Sequence, residues 1–177
     1  MAKNVYIVGF MGSGKTTVGS LLSKVLGRRF IETDNLIEEK EGMSIVDIFL
    51  KKGEAYFRKI EKEVLRDISK KKNLVVSCGG GIVIDEENIM ILKSTGVLIC
   101  LEASPATIYQ RTKQYTHRPL LNVDNPLGEI KRLLKERKPF YRKAHFFLDT
   151  NHLTPGEVVD EILAILSNIE KAKEEQL

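Results

Sequence analysis

The sequence predicts a three-layer α/β/α domain with a five-stranded parallel sheet at its centre. Five short apolar or β-branched runs recur along the chain, at Val5 to Val8, Arg29 to Ile31, Leu74 to Val76, Val97 to Leu101 and Phe146 to Leu148. Between them lie longer segments with apolar residues at helical spacing, such as Phe57, Ile60, Val64, Ile68 and Val158, Ile162, Ile165, Ile169. Strand alternating with helix implies parallel strands covered on both faces.

The first run is followed at once by Gly9-Phe10-Met11-Gly12-Ser13-Gly14-Lys15-Thr16, which fits the Walker A pattern between a strand and a helix starting near Lys15. Its glycines let successive N–H groups turn toward phosphate oxygens, and the helix adds its positive N-terminal end. Lys15 then neutralises the β- and γ-phosphates while the Thr16 hydroxyl ligates Mg²⁺. Gly12, Ser13, Gly14, Lys15, Thr16 and Thr17 are therefore the expected nucleotide set. A glycine-rich turn that only joins strand to helix lacks any need for the Lys-Thr pair.

The second run ends at Glu32-Thr33-Asp34, where parallel sheets place their ligands. Asp34 can accept or orient an acceptor hydroxyl, or it can cap the helical segment that opens at Asn35. Arg58 follows on a helical stretch, with Glu61 three residues on and placed to hold it. Phe49 and Phe57 read either as core residues or as walls of a substrate pocket.

The third run ends not in the acidic residue of a motor ATPase but in Ser77-Cys78-Gly79-Gly80-Gly81. Three glycines let a ligand approach the main chain and offer N–H donors. No Asn-Lys-x-Asp element occurs, which argues against a GTPase. Beyond the fourth run, residues 113–125 lose apolar periodicity and carry Arg118, Pro119, Asn122, Asp124 and Asn125, the pattern of a mobile loop. The charged tail 170–177 is expected to fray.

At 177 residues the chain fits one domain, 1–177. Apolar residues make up 42% and charged residues 29%, enough to build a core without disulfides. Net charge is +4 and the isoelectric point about 9.0. The basic residues are interspersed with acids, which favours an anionic small substrate over nucleic acid. Cys78 and Cys100 each end an apolar run and suit a reducing cytosol. No apolar stretch is long enough to cross a membrane, and no signal segment is apparent, so a cytoplasmic monomer is the expectation. The three histidines have no ligand-like spacing, and the Lys70–Lys72 tract suits a helix end.

The P-loop, Glu32-Thr33-Asp34 and the glycine triplet together resemble the shikimate kinase family. The likeness extends through Phe57-Arg58, Arg118-Pro119-Leu120, Arg137 with Tyr141 four residues on, and Asp149-Thr150-Asn151 before Pro155. It implies a P-loop kinase fold with a mobile lid. It further implies transfer of the ATP γ-phosphoryl group, with Mg²⁺, to the 3-hydroxyl of shikimate in aromatic amino-acid biosynthesis. By this resemblance Lys15, Asp34 and Arg118 are catalytic. Asp34, Arg58, Gly79, Gly80, Gly81 and Arg137 bind the acceptor, and Arg111 and Pro155 contact adenine. The family usually has Asp where this chain has Glu32, so the resemblance implies an outer-shell metal role for Glu32 and a metal-bound water held by Ser77. The readings left open are another small-metabolite kinase, such as a gluconate kinase, and a non-enzymatic nucleotide-binding module.

Overall fold

The computed structural model describes residues 3–113 and 123–175. All five expected strands form: β1 Asn4–Gly9, β2 Arg29–Glu32, β3 Leu74–Ser77, β4 Gly96–Glu102 and β5 Phe146–Asp149. Every pairing is parallel, and the strand order is β2-β3-β1-β4-β5. The first strand is thus central, with β3 and β2 on one flank of it and β4 and β5 on the other.

Side chains of β1 alternate between two separate cores, as a period of two requires. Tyr6 and Val8 join one cluster, and Val5 and Ile7 join the other. The second cluster is completed by helix α1, Lys15–Leu26, and helix α7, Pro155–Glu174, through Val18, Leu22, Val158 and Ile162. The first is covered by α2, Thr33–Glu41; α3, Ile45–Ser69; α4, Glu86–Thr95; α5, Pro105–Thr112; and α6, Pro126–Tyr141. A short 3-10 turn, Ile82–Ile84, follows the glycine triplet.

Helix starts follow their capping chemistry. The Ser44, Asp85, Ser104, Asn125 and Thr154 side chains each accept a backbone N–H at an N-terminus, and Thr154 with Glu157 forms a reciprocal capping box. In α3 the helical geometry breaks at Gly53, whose φ of 81° and ψ of 169° suit a residue without a side chain. The segment bearing Phe49 therefore leaves the line of the segment bearing Arg58.

Helix α7 continues through Glu174, into the charged tail. Arg118 and residues 114–122 of the expected lid lie outside the described residues.

Candidate active site

The carboxyl ends of β1, β2 and β3 open into a cavity of about 1020 Å³. Into it come Gly12 to Thr17, Glu32, Asp34, Arg58, Glu61, the Ser77–Gly81 stretch, Arg111, Arg137 and Pro155. All the site residues expected from sequence thus line one space, Arg118 excepted because it falls outside the described residues.

The loop between β1 and α1 is shaped by Gly14, which sits at the helix N-terminus with a φ of 98°. Ser13 N–H donates to the Phe10 carbonyl at 3.1 Å, closing the curl. Lys15 Nζ donates to the same carbonyl at 3.0 Å, which folds its ammonium over the loop. No side chain caps α1, so the first N–H groups of the helix remain directed at the cavity. Thr16 Oγ1 donates to Glu32 Oε1 at 2.5 Å, and Asn35 Nδ2 donates to Glu32 Oε2 at 3.2 Å.

Asp34 lies in the first turn of α2, whose N-cap is Glu32, so the helix-cap role is not its own. Burial pushes its carboxyl above the ordinary carboxylate range, opposed by the positive charge of Lys15. The acid therefore stands between the phosphate loop and the glycine triplet. A Cβ at Gly79 would meet Asp34 Oδ1 at 2.6 Å, so only glycine lets the carboxylate sit there.

Arg58 faces the triplet from α3. Its Nη1 donates to Glu61 Oε2 at 2.8 Å and its Nη2 to Glu54 Oε1 at 3.1 Å. A Cβ at Gly81 would lie 2.5 Å from the guanidinium nitrogens. Glu61 is only 1% exposed, and burial raises its pKa to about 7 against the pull of Arg58. From α6, Arg137 stacks over the Phe10 ring at 5.6 Å and comes within 3.6 Å of a Cβ placed on Gly80. Phe49 and Phe57 pack together at 4.7 Å between centroids, Phe57 buried and Phe49 partly exposed along the cavity wall. They serve core and pocket at once.

The three glycines are not equivalent. The Gly79 N–H is already taken by Thr33 Oγ1 at 2.8 Å, leaving Gly80 and Gly81 to offer main-chain donors. Thr33, buried after β2, is the residue that sequence reasoning missed here. Its only signal was a hydroxyl between two acids at a strand end.

On the other flank, Arg111 donates to the Gly12 carbonyl at 3.3 Å, to Thr150 Oγ1 at 3.0 Å and to the Thr150 carbonyl at 2.6 Å. The guanidinium edges are spent on the protein, which leaves its faces for a planar ring. Thr150 in turn donates to the Ser13 carbonyl at 3.3 Å and ties β5 to the phosphate loop. Pro155 opens α7 beside them.

A phosphate loop on the central strand, facing an acid and two arginines across a glycine triplet, defines an ATP-dependent kinase of the P-loop class that acts on a small metabolite. The family model described as "Shikimate kinase" matches residues 11–167. The chain belongs to the shikimate kinase family. It is 47% identical over 171 residues to the shikimate kinase of Thermodesulfovibrio yellowstonii, covering 97% of this chain and 99% of that protein. Among solved structures, the shikimate kinase from Acinetobacter baumannii in complex with shikimate superposes with a TM-score of 0.90 at 42% identity, covering 95% of both chains. The Aquifex aeolicus enzyme gives 0.83 at 44%, covering 94% of this chain and 98% of that one. A gluconokinase from Sinorhizobium meliloti reaches 0.61 at 18% identity, a likeness of fold alone.

Proposed function

We propose that the protein phosphorylates the 3-hydroxyl of shikimate with ATP, giving shikimate 3-phosphate and ADP on the route to chorismate and the aromatic amino acids. One observation carries this reading above the others. Arg58 and Arg137, on separate helices, both reach the glycine triplet within the cavity that holds the phosphate loop. Two guanidinium groups beside free main-chain N–H donors suit a carboxylate, and Asp34 lies between that grip and Lys15.

The whole chain acts as one P-loop domain. Gly12 to Thr17 bind the phosphates, and Arg111 and Pro155 flank the adenine. Asp34 orients the acceptor hydroxyl and takes its proton as the oxygen attacks the γ-phosphorus. The bond to the β,γ-bridging oxygen breaks, and Lys15 neutralises charge on the phosphates. Arg118 adds positive charge to the transferring group. Positioning and charge supply the acceleration, with no covalent enzyme intermediate.

The oxygen set beside the loop, Thr16 held by Glu32 with Ser77 nearby on β3, suits a hard cation that keeps most of its water. Thr16 would hold Mg²⁺ directly, and Glu32 and Ser77 through water. The ion's chemistry there is to offset phosphate charge. Among the described residues no helix is long and apolar enough to cross a membrane. The buried, free Cys78 and Cys100 fit a reducing compartment, and we assign the protein to the cytoplasm as a monomer that binds no nucleic acid.

An acceptor panel with ATP tests the reading. Shikimate-dependent ADP release is expected, lost in Lys15→Ala. Turnover of gluconate without turnover of shikimate would sink it.

A further inference from the structure

The Tyr141 hydroxyl donates to the Gly80 carbonyl at 2.7 Å, a contact between the last residue of α6 and the middle of the triplet. Tyr141 is buried, and burial holds its phenol above the ordinary 10.0, so it remains a donor throughout the working range. Arg137 precedes it by four residues and therefore lies on the same helical face. A Cβ at Gly80 would find Arg137 Nη1 at 3.6 Å and Tyr141 Oη at 3.7 Å, so both heads approach one peptide from one side.

The triplet has little else to fix that peptide. Gly79 is held through Thr33, and the Gly79 and Gly81 carbonyls accept from Ile82 N–H at 3.1 Å and Ile84 N–H at 3.0 Å in the 3-10 turn. The Gly80 carbonyl takes the Tyr141 proton instead. A peptide is planar, so fixing one carbonyl fixes the direction of the N–H across the same bond, which here belongs to Gly81. Gly81 is also the residue packed against the Arg58 guanidinium.

We propose that Tyr141 is a positioning residue for the acceptor carboxylate: by clamping the Gly80 carbonyl it aims the Gly81 N–H and sets Arg137 and Arg58 around a common point. This rests on the carboxylate reading of the site given above. Tyr141 itself touches neither the acceptor nor the nucleotide. Its effect passes through the Gly80–Gly81 peptide on one side and through α6 to Arg137 on the other.

The test is Tyr141→Phe, which removes one oxygen and keeps the ring in the core. Amide exchange in the adjoining 3-10 turn reads the clamp through its neighbours. Ile82 and Ile84 amides should exchange at least about fivefold faster in the variant, while β4 amides keep their rates, since local opening is distinct from global unfolding. Steady-state kinetics read the consequence. The shikimate KM should rise about tenfold with the ATP KM within about twofold, because only acceptor binding loses a pre-aimed donor. Arg137→Lys in the Tyr141→Phe background should cost less than the two single losses combined, as coupled residues do.

Unchanged exchange at Ile82 and Ile84 overturns the clamp. Equal rises in both KM values, with a lowered Tm, overturn the positioning role in favour of plain core packing. Failure of the parent protein to phosphorylate shikimate instead strikes the proposed function. The exchange measurement then still decides whether the clamp exists, and the KM comparison is repeated with whichever carboxylate-bearing acceptor is turned over.

Discussion

Glu61 holds the Arg58 guanidinium through one carboxylate oxygen at 2.8 Å, while its other oxygen, buried, has no partner among the described residues. Such an arrangement is costly for a charge and useful for orientation, since Arg58 is fixed in a single direction.

The pH dependence of stability follows from that burial. The folded pKa of Glu61, about 7, lies above its ordinary 4.5. A raised pKa means that the folded state holds the proton more tightly. The stability from this group is therefore full below about 4.5 and fades as pH rises to about 7. Chemical denaturation of Glu61→Gln should show the variant gaining on the parent protein between pH 5 and pH 8. A constant difference across that range would refute the assignment. The same variant should raise the shikimate KM several-fold, because a neutral amide grips Arg58 less firmly.

Asp34→Asn should lower kcat by about 10² to 10⁴, the usual share of a positioned acid or base, and leave ADP binding within about twofold. In the parent protein, kcat/KM should rise with pH through a value above the ordinary carboxylate range, since the deprotonated form is the active one and burial raises its pKa. A pH profile flat from 4 to 8 would remove Asp34 from that role.

Gly81→Ala sets a methyl group into the Arg58 guanidinium, 2.5 Å from its nitrogens. The arginine is flexible and will move, so the fold should survive with Tm nearly unchanged. The shikimate KM should rise by about tenfold or more, equivalent to about 1.4 kcal/mol or more, with the ATP KM unaffected. Parallel losses for both substrates would show that the loop as a whole had shifted.

Glu32→Ala frees the Thr16 hydroxyl from the contact it makes at 2.5 Å. Calorimetric titration of the ADP complex should show Mg²⁺ binding more weakly by roughly 10- to 100-fold, as loss of an outer-shell carboxylate does at metal sites. The shikimate KM should hold. Unaltered metal affinity would confine Glu32 to holding Thr16 and Asn35.

The strands, the sheet class and the phosphate loop could be read directly from the residues, because apolar runs and a glycine-lysine-threonine turn are local signals. The acceptor side was legible only by resemblance. Arg58 and Arg137 are 79 positions apart, and nothing in either neighbourhood says that both converge on Gly80 and Gly81. Thr33 was invisible for a related reason: its hydroxyl matters through the Gly79 N–H, contributed by the loop after the next strand, β3, 46 positions on. Helices α4 to α7 open at the capping residues Asp85, Ser104, Asn125 and Thr154, none of which was read as a cap from the sequence. The persistence of α7 through Glu174 had no such marker.

The strand order places β1 as a boundary between two trades. On the β3 and β2 side stand Asp34, Arg58 and the Gly79–Gly81 triplet, proposed for the acceptor, and on the β4 and β5 side stand Thr150, Arg111 and Pro155, of which Arg111 and Pro155 are proposed for the donor. Besides the loop at its tip, helix α6 bridges it, leading into β5 yet bringing Arg137 and Tyr141 to Gly80. On the proposed roles, substitutions at Arg58 and Gly79–Gly81 are therefore expected to alter acceptor binding while leaving the Walker A loop's hold on ATP in place.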